Sequence, residues 1–450
     1  MTDERMTNEG IIKGNVYKQL LLLFFPILFG SFFQQLYNTV DAIIVGKFIG
    51  KEALSAVGGS TATIINLLVG FFIGLSSGAT VIIAQYYGAR KYRELRESVH
   101  TSIAIAILGG LILMIVGIGF APMALKAMDT PPDIMDGSLI YIRIYFWGMI
   151  PNMVYNIGSG ILRAIGDSKR PLYFLIVACV ANIILDILLV VIFKFGIYGV
   201  AIATVLSQVI SAVLVIFVLV FNDSSYKLTI KHVRINKNRF KEIFKIGLPA
   251  GIQSTMYSIS NIIIQTSVNS FGTDTIAAWT AHSKLDSIFW MMMGAFDVAI
   301  TTFVGQNYGA KKMERVRSGV RKCLALSFVG TIIMSLIFYF GGEYLFRFFT
   351  NDMVVVNKGM EILKLFVPSY LTFICIEILS GALRGMGDSL IPMIMTGVGV
   401  CLLRVLWVIF IVPIKPNITT VTLSYPISWS VTSILFIVYY RNYWRKYDEN

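Results

Sequence analysis

The stretch LLLLFFPILFGSFFQQLYNTVDAIIV, from Leu20 to Val45, is long enough to cross a bilayer as a helix, yet it carries Asp41 near its far end with no basic residue beside it. A charged Asp in hydrocarbon costs about 3 kcal/mol even on permissive insertion scales, so Asp41 is expected to face protein or a water-filled cavity and to act on an ion or substrate. At helical spacing Gly30, Gln34, Tyr37, Asn38 and Asp41 fall along one side, and Phe24, Leu28, Phe32, Leu36 and Ile43 along the others. Pro26 removes a backbone donor and crowds the preceding turn, with Gly30 close behind, so a bend or hinge is expected there. The competing place for Asp41 is the hydrated interface, where a charge is cheap.

The rest of the chain has the composition of a housing for such a helix. Of 450 residues, 56% are hydrophobic and 14% charged, with mean hydropathy +0.74, which excludes an ordinary soluble domain and defines a polytopic membrane protein. A net charge of +13 and pI near 9.4 would suggest nucleic acid in a soluble chain. Here the basic residues gather in a few loops, such as GARKYRELRE from Gly88, the stretch from Lys227 to Lys245, and Lys311 to Lys322. That pattern is topological: these loops and both termini are expected on the cytoplasmic side of a cell membrane, a bacterial inner membrane by preference, with no nucleic-acid partner. Cys179, Cys323, Cys375 and Cys401 lie in or beside apolar runs without C-x-x-C spacing, so they read as core residues. The first apolar run is too long for a signal peptide and no small-residue cleavage pattern follows it, so that helix is expected to stay.

Twelve apolar windows, from Tyr17–Val45 to Ile418–Tyr440, are expected to span the membrane. The sequence also repeats itself. QYYGARKYRELR at Gln85 returns as QNYGAKKMERVR at Gln306, and LRAIGDSKRP at Leu162 as LRGMGDSLIP at Leu383, both at an offset of 221 (306 − 85 and 383 − 162). With six spans in each half the copies enter from the same side, so the repeat is parallel. This gives an all-α membrane protein of two pseudo-symmetric six-helix bundles, residues 1–222 and 241–450, joined by a cytoplasmic linker, 223–240. Rocking of such bundles can open a central cleft to either side. Within LRxxGD, Asp167 and Asp388 read as caps of the following helix rather than as ion ligands.

Two further spans carry polar groups on one face. In the fifth these are Cys179, Asn182 and Asp186; in the sixth, Ala201, Thr204, Gln208 and Ser211. The two spans are joined only by KFGIYG, Lys194 to Gly199, so they pack together, and Asp186 and Thr204 stand about two turns from that connection at similar depth. If the first helix faces the same cavity, two carboxylates, an amide and a hydroxyl converge. That set suits a hard cation such as Na⁺. It suits H⁺ equally, because neighbouring buried acids do not readily ionise together.

The double bundle, the repeated Q-x-Y-G-A-[RK] and L-R-x-x-G-D-S stretches, and NTVDAIIVGKFIG from Asn38 to Gly50 together resemble the multidrug and toxic compound extrusion (MATE) transporters over nearly the whole chain. In the DinF-like branch, a first-helix Asp, a fifth-helix Asn and Asp, and a sixth-helix Thr form the coupling-cation site; the matching residues here are Asp41, Asn182, Asp186 and Thr204. The resemblance implies a Na⁺- or H⁺-driven antiporter that expels organic, often cationic, compounds, with a first helix that bends near Pro26. The NorM-like branch uses acids on the seventh and tenth helices. Glu377 is on the tenth, but the seventh offers only Gln253, Asn261 and Gln265, so a second cation site is not indicated.

For the other membrane-depth charges a structural network is expected, in which Lys284 or Arg404 neutralises Asp286, Asp297 or Glu377. Gln34, Tyr37, Asn38, Tyr155, Gln208, Gln253, Tyr257, Asp286 and Glu377 are the candidates for lining a substrate cleft. The alternative is a flippase for lipid-linked oligosaccharides or lipids on the same double-bundle architecture, which would favour a cleft rich in Arg and Lys to hold pyrophosphate. A membrane prenyl transferase would need a D-D-x-x-D cluster, which the sequence lacks, so no catalysed reaction is expected. A monomer without cofactors, exchanging small organic substrates against H⁺ or Na⁺, is the expectation.

Overall fold

A computed structural model describes residues 10–350 and 352–449, apart from the side chain of Phe349. Among these the chain is helical throughout and contains no strand. The helices are α1 (Val16–Ile44), α2 (Lys51–Gly58), α3 (Ser60–Gly88), α4 (Tyr92–Ala127), α5 (Pro132–Trp147), α6 (Met149–Ala164), α7 (Lys169–Asp186), α8 (Gly196–Phe221), α9 (Lys237–Asn269), α10 (Thr273–Gly309), α11 (Met313–Phe349), α12 (Met353–Gly385), α13 (Leu390–Thr396), α14 (Leu403–Phe410) and α15 (Ile418–Glu449). Ten described segments are long and apolar enough to cross a membrane. The other two of the twelve spans are the α5–α6 pair, broken at Gly148 into two 16-residue helices, and α9, whose composition is more polar.

Their outer faces are greasy. α1 exposes Phe25, Phe29, Phe32, Leu36 and Ile43 at helical intervals, and α4 exposes Leu108, Leu111, Ile112 and Ile115. Such stripes are tolerable only where lipid, not water, lies outside. Phe24 departs from the expected pattern: it is buried, stacked on Phe296 with ring centroids 4.0 Å apart.

The chain divides into two compact units. Among the described residues one comprises 10–14, Phe25–Gly251 and Gly305–Lys311; the other Asn15–Phe24, Ile252–Val304, 312–350 and 352–449. The boundary inside α1 falls one residue before Pro26, and the boundary inside α9 two residues after Pro249. Within the first unit, glycines allow backbones to touch. Gly74 and Gly78 of α3 lie against Gly251 and Gly247 of α9, where a Cβ on any of the four would collide with main-chain atoms. The repeated motif closes on itself in the same way: Gly88 packs on the Gln306 carbonyl, and Gly309 on that of Gln85.

The offset of 221 extends to packing partners. Thr80 lies against Gly160 in the first unit, and in the second the Thr301 hydroxyl donates to the Gly381 carbonyl at 3.0 Å. The LRxxGD turns agree with their expected role. Gly166 and Gly387 adopt φ of +97° and +98°, and Asp167 and Asp388 accept from the backbone N–H groups of Arg170 (3.1 Å) and Ile391 (3.3 Å).

Candidate cation site

Asp41 stands three residues before the end of α1, and Asp186 is the last residue of α7. Each of these helices is followed at once by a π-helical turn, Val45–Ile49 after α1 and Ile187–Ile192 after α7, and the two turns pack on each other. A π-turn widens the helix and re-aims the side chains beside it, and such turns concentrate at functional sites. α8 then runs back along α7. Close packing there requires Gly199, whose Cβ position lies 3.2 Å from the Leu189 backbone. Gly30 gives α1 a similar approach to Leu175 of α7.

These contacts gather Asp41, Asp186 and Thr204 into one buried cluster, in which Asp41, the most accessible, is 8% exposed; the buried Asn182 stands one helical turn before Asp186 on the same face of α7. Asp186 and Thr204 both come within interaction distance of the Asp41 carboxyl. The neighbouring hydroxyls are already engaged elsewhere: that of Thr204 donates to Val200 O at 3.0 Å, Ser207 to Thr204 O and Ser211 to Gln208 O. What remains is an excess of acceptor oxygens over a single amide donor, Asn182 Nδ2. Asp41 Oδ1, both Asp186 oxygens and both amide atoms of Asn182 are buried without a hydrogen-bond partner. Buried oxygens normally find partners, and facing carboxylates do not supply them to one another. The donor set therefore fits a proton or a small hard cation as cargo, and it repels an anion. Among the described residues no three His, Cys, Asp or Glu side chains form a metal cage.

Tyr37 and Tyr141 interact with both acids, and the Tyr141 and Tyr145 rings stack at 6.0 Å. Tyr145 reaches toward Gln208, whose carbonyl oxygen occupies the space left open at Gly148. Tyr141 and Tyr145 were not among the residues expected from sequence; their i, i+4 spacing on one face of α5 is the signal that would have found them.

The other cleft candidates scatter. Gln34 and Asn38 are exposed on α1, and Tyr37 is half-buried. Tyr155 is tied to the first turn of α7, its hydroxyl donating to Pro171 O at 3.1 Å. In the second unit Gln253 Nε2 donates to Thr396 Oγ1 at 3.1 Å, while the buried Tyr257 hydroxyl, close to Glu377, has no hydrogen-bond partner.

The expected charge network exists but is wired differently. Asp297 pairs with Arg384 at 2.8 Å rather than with Lys284 or Arg404, because Arg384, next to last in α12, follows by three residues Gly381, which packs on Asp297 and Thr301 of α10. Lys284 is exposed. Asp286 accepts from Trp290 Nε1 (2.6 Å) and the Tyr370 hydroxyl (2.8 Å). Arg404 stacks on the Tyr425 ring at 4.1 Å and donates to Ser428, and its field also reaches Asp286.

Two repeated helical bundles with buried acids at membrane depth define a polytopic membrane transporter. The MatE family profile matches residues 26–188 and 249–409, and the chain belongs to this family of transporters. It is 28% identical over 457 residues to the probable multidrug resistance protein YoeA of Bacillus subtilis, covering 99% of this chain and 98% of that one. It superposes on a solved structure described as MATE in the bent conformation (TM-score 0.90, 20% identity, 96% of each chain) and on one in the straight conformation (TM-score 0.90, 20% identity, 98% of each chain), which shows the fold.

Proposed function

We propose that this chain is an H⁺- or Na⁺-coupled antiporter that exports small organic, chiefly cationic, compounds by alternating access, with the basic loops and both termini in the cytoplasm. The observation that carries the coupling is the acceptor-rich cluster of Asp41, Asn182, Asp186 and Thr204, in which two buried carboxylates lack donors. A cation bound there neutralises that repulsion. Coupling follows if cation and substrate favour different states of the carrier, so that each expels the other. Pro26, inside α1 and fifteen residues before Asp41, is the natural hinge through which occupancy changes that helix. The names of relatives as multidrug resistance proteins support an organic substrate. In the second unit, Asp286 and Glu377 are the acids available to a cationic substrate.

The test is efflux of a fluorescent organic cation from proteoliposomes under an imposed pH step without Na⁺, set against a Na⁺ step without a pH difference. One gradient alone driving efflux, with loss in Asp41→Asn, is the expected result; efflux indifferent to both gradients refutes the coupling.

A further inference from the structure

A cavity of about 490 Å³ lies at the start of α4, where Arg96, Glu97, His100 and Thr101 face His232 and Arg234 of the segment between α8 and α9. Its walls are fastened. The His100 ring holds Arg96 O at 2.6 Å through Nδ1 and accepts from the Thr229 N–H at 3.0 Å through Nε2; Thr101 Oγ1 accepts from the Asn236 N–H at 3.2 Å. Its only lining acid is already engaged, since Glu97 meets Arg93 at 3.3 Å, Arg239 at 3.4 Å and Asn236 Nδ2 at 3.4 Å. Among the described residues Arg96 and Arg234 are in no ion pair; both are exposed, and His232 is exposed beside them. The cavity therefore presents uncompensated positive charge between fixed walls.

Its depth is informative. Counting about 20 residues, the ~30 Å hydrocarbon thickness at about 1.5 Å per residue, back along α4 from the exposed Met123 leads to Ile103. His100 and Thr101 then lie in the headgroup layer, and Arg96 less than a turn beyond it. Apolar side chains surround the same segment: Phe221 is 71%, Ile230 67% and Ile235 42% exposed. Exposed apolar groups beside unpaired cations are the signature of a surface resting on lipid headgroups, whereas a site for a soluble anion has no need of them.

We propose that this cavity binds the phosphate of an anionic phospholipid from the adjoining leaflet, with Arg96 and Arg234 as its main contacts, and that the lipid clamps the α8–α9 segment onto α4. This does not depend on the transport cycle proposed above.

The test uses the full-length, delipidated chain in detergent, with phosphatidylglycerol, phosphatidylcholine and inorganic phosphate as probes, read by native mass spectrometry and thermal unfolding. Phosphatidylglycerol is expected to bind and raise the unfolding temperature, while phosphatidylcholine and inorganic phosphate at equal concentration do neither. Arg96→Gln with Arg234→Gln should weaken phosphatidylglycerol binding roughly 10- to 30-fold, whereas Lys237→Gln with Lys241→Gln, the same charge loss outside the cavity, should leave it within about twofold of wild type. Equal binding of the two lipids, equal loss in the two double variants, or full effect from inorganic phosphate would overturn the proposal. The comparison of probes on the unmodified chain decides it even if a variant folds poorly.

Discussion

Asp41→Asn separates function from stability, because its two effects have opposite signs. A cation within about 4 Å of a carboxylate gains about 4 kcal/mol at an effective dielectric constant near 20. The amide keeps an oxygen in place but loses that attraction, so cation affinity should fall by roughly a thousandfold, at about 1.4 kcal/mol per factor of ten. Folding responds in the other direction. Both Asp186 oxygens are buried without a donor, and the new amide places an N–H₂ within reach of them while removing a like charge. A hydrogen bond to a charged acceptor contributes about 1.5–3 kcal/mol, so the variant should be at least as heat-stable as the wild type in detergent and at equal yield. The assays are gradient-driven efflux in proteoliposomes and thermal unfolding of the same preparation. Efflux at wild-type rate, or a marked drop in stability together with retained efflux, would refute the reasoning.

Other outcomes follow from particular contacts. Arg384→Ala leaves the half-buried Asp297 without its ion pair and should lower stability by about 1.5–3 kcal/mol, and pairing it with Asp297→Ala should recover much of the loss; thermal unfolding of the single and double variants checks both. Tyr370→Phe removes one of the two donors to Asp286 and should cost about 1.5–3 kcal/mol, with Trp290→Phe acting similarly. Gly88→Ala drives a methyl group into the Gln306 carbonyl and should sharply reduce the yield of folded protein, whereas Gly294→Ala, with open space around it inside α10, should be neutral or gain up to about 1 kcal/mol. Size-exclusion profiles of the two separate these outcomes.

Most of the architecture was legible in the chain because a bilayer imposes length and polarity on every span and because the repeat survives in quotable motifs. Asp186 and Thr204 could be placed together from helical spacing and the short KFGIYG connection, whereas Asp41 joined them only on the condition that the first helix faces the same cavity; the structure brings these three side chains together. The two π-turns were not legible: Val-Gly-Lys-Phe-Ile and Ile-Leu-Leu-Val-Val-Ile carry no distinctive residue pattern, and an inserted residue in a helix follows from tertiary packing rather than propensity. Nor was the Arg384–Asp297 pairing. Periodicity tells which face a charge occupies, but choosing among Lys284, Arg404 and Arg384 needs the crossing of α10 and α12, which only three-dimensional packing fixes. Tyr155 illustrates the limit from the other side, since a tyrosine with polar neighbours in sequence spends its hydroxyl on a backbone carbonyl at the start of α7.

The most direct measurement is cation uptake by the purified chain itself. Proton release and ²²Na⁺ binding would be recorded for the wild type and for Asp41→Asn with Asp186→Asn, with and without an organic cation added. The wild type should bind one of the two ions and release it when the organic cation is added, and the double variant should do neither; undiminished, substrate-sensitive uptake by the double variant would contradict the assignment of the cation to this cluster.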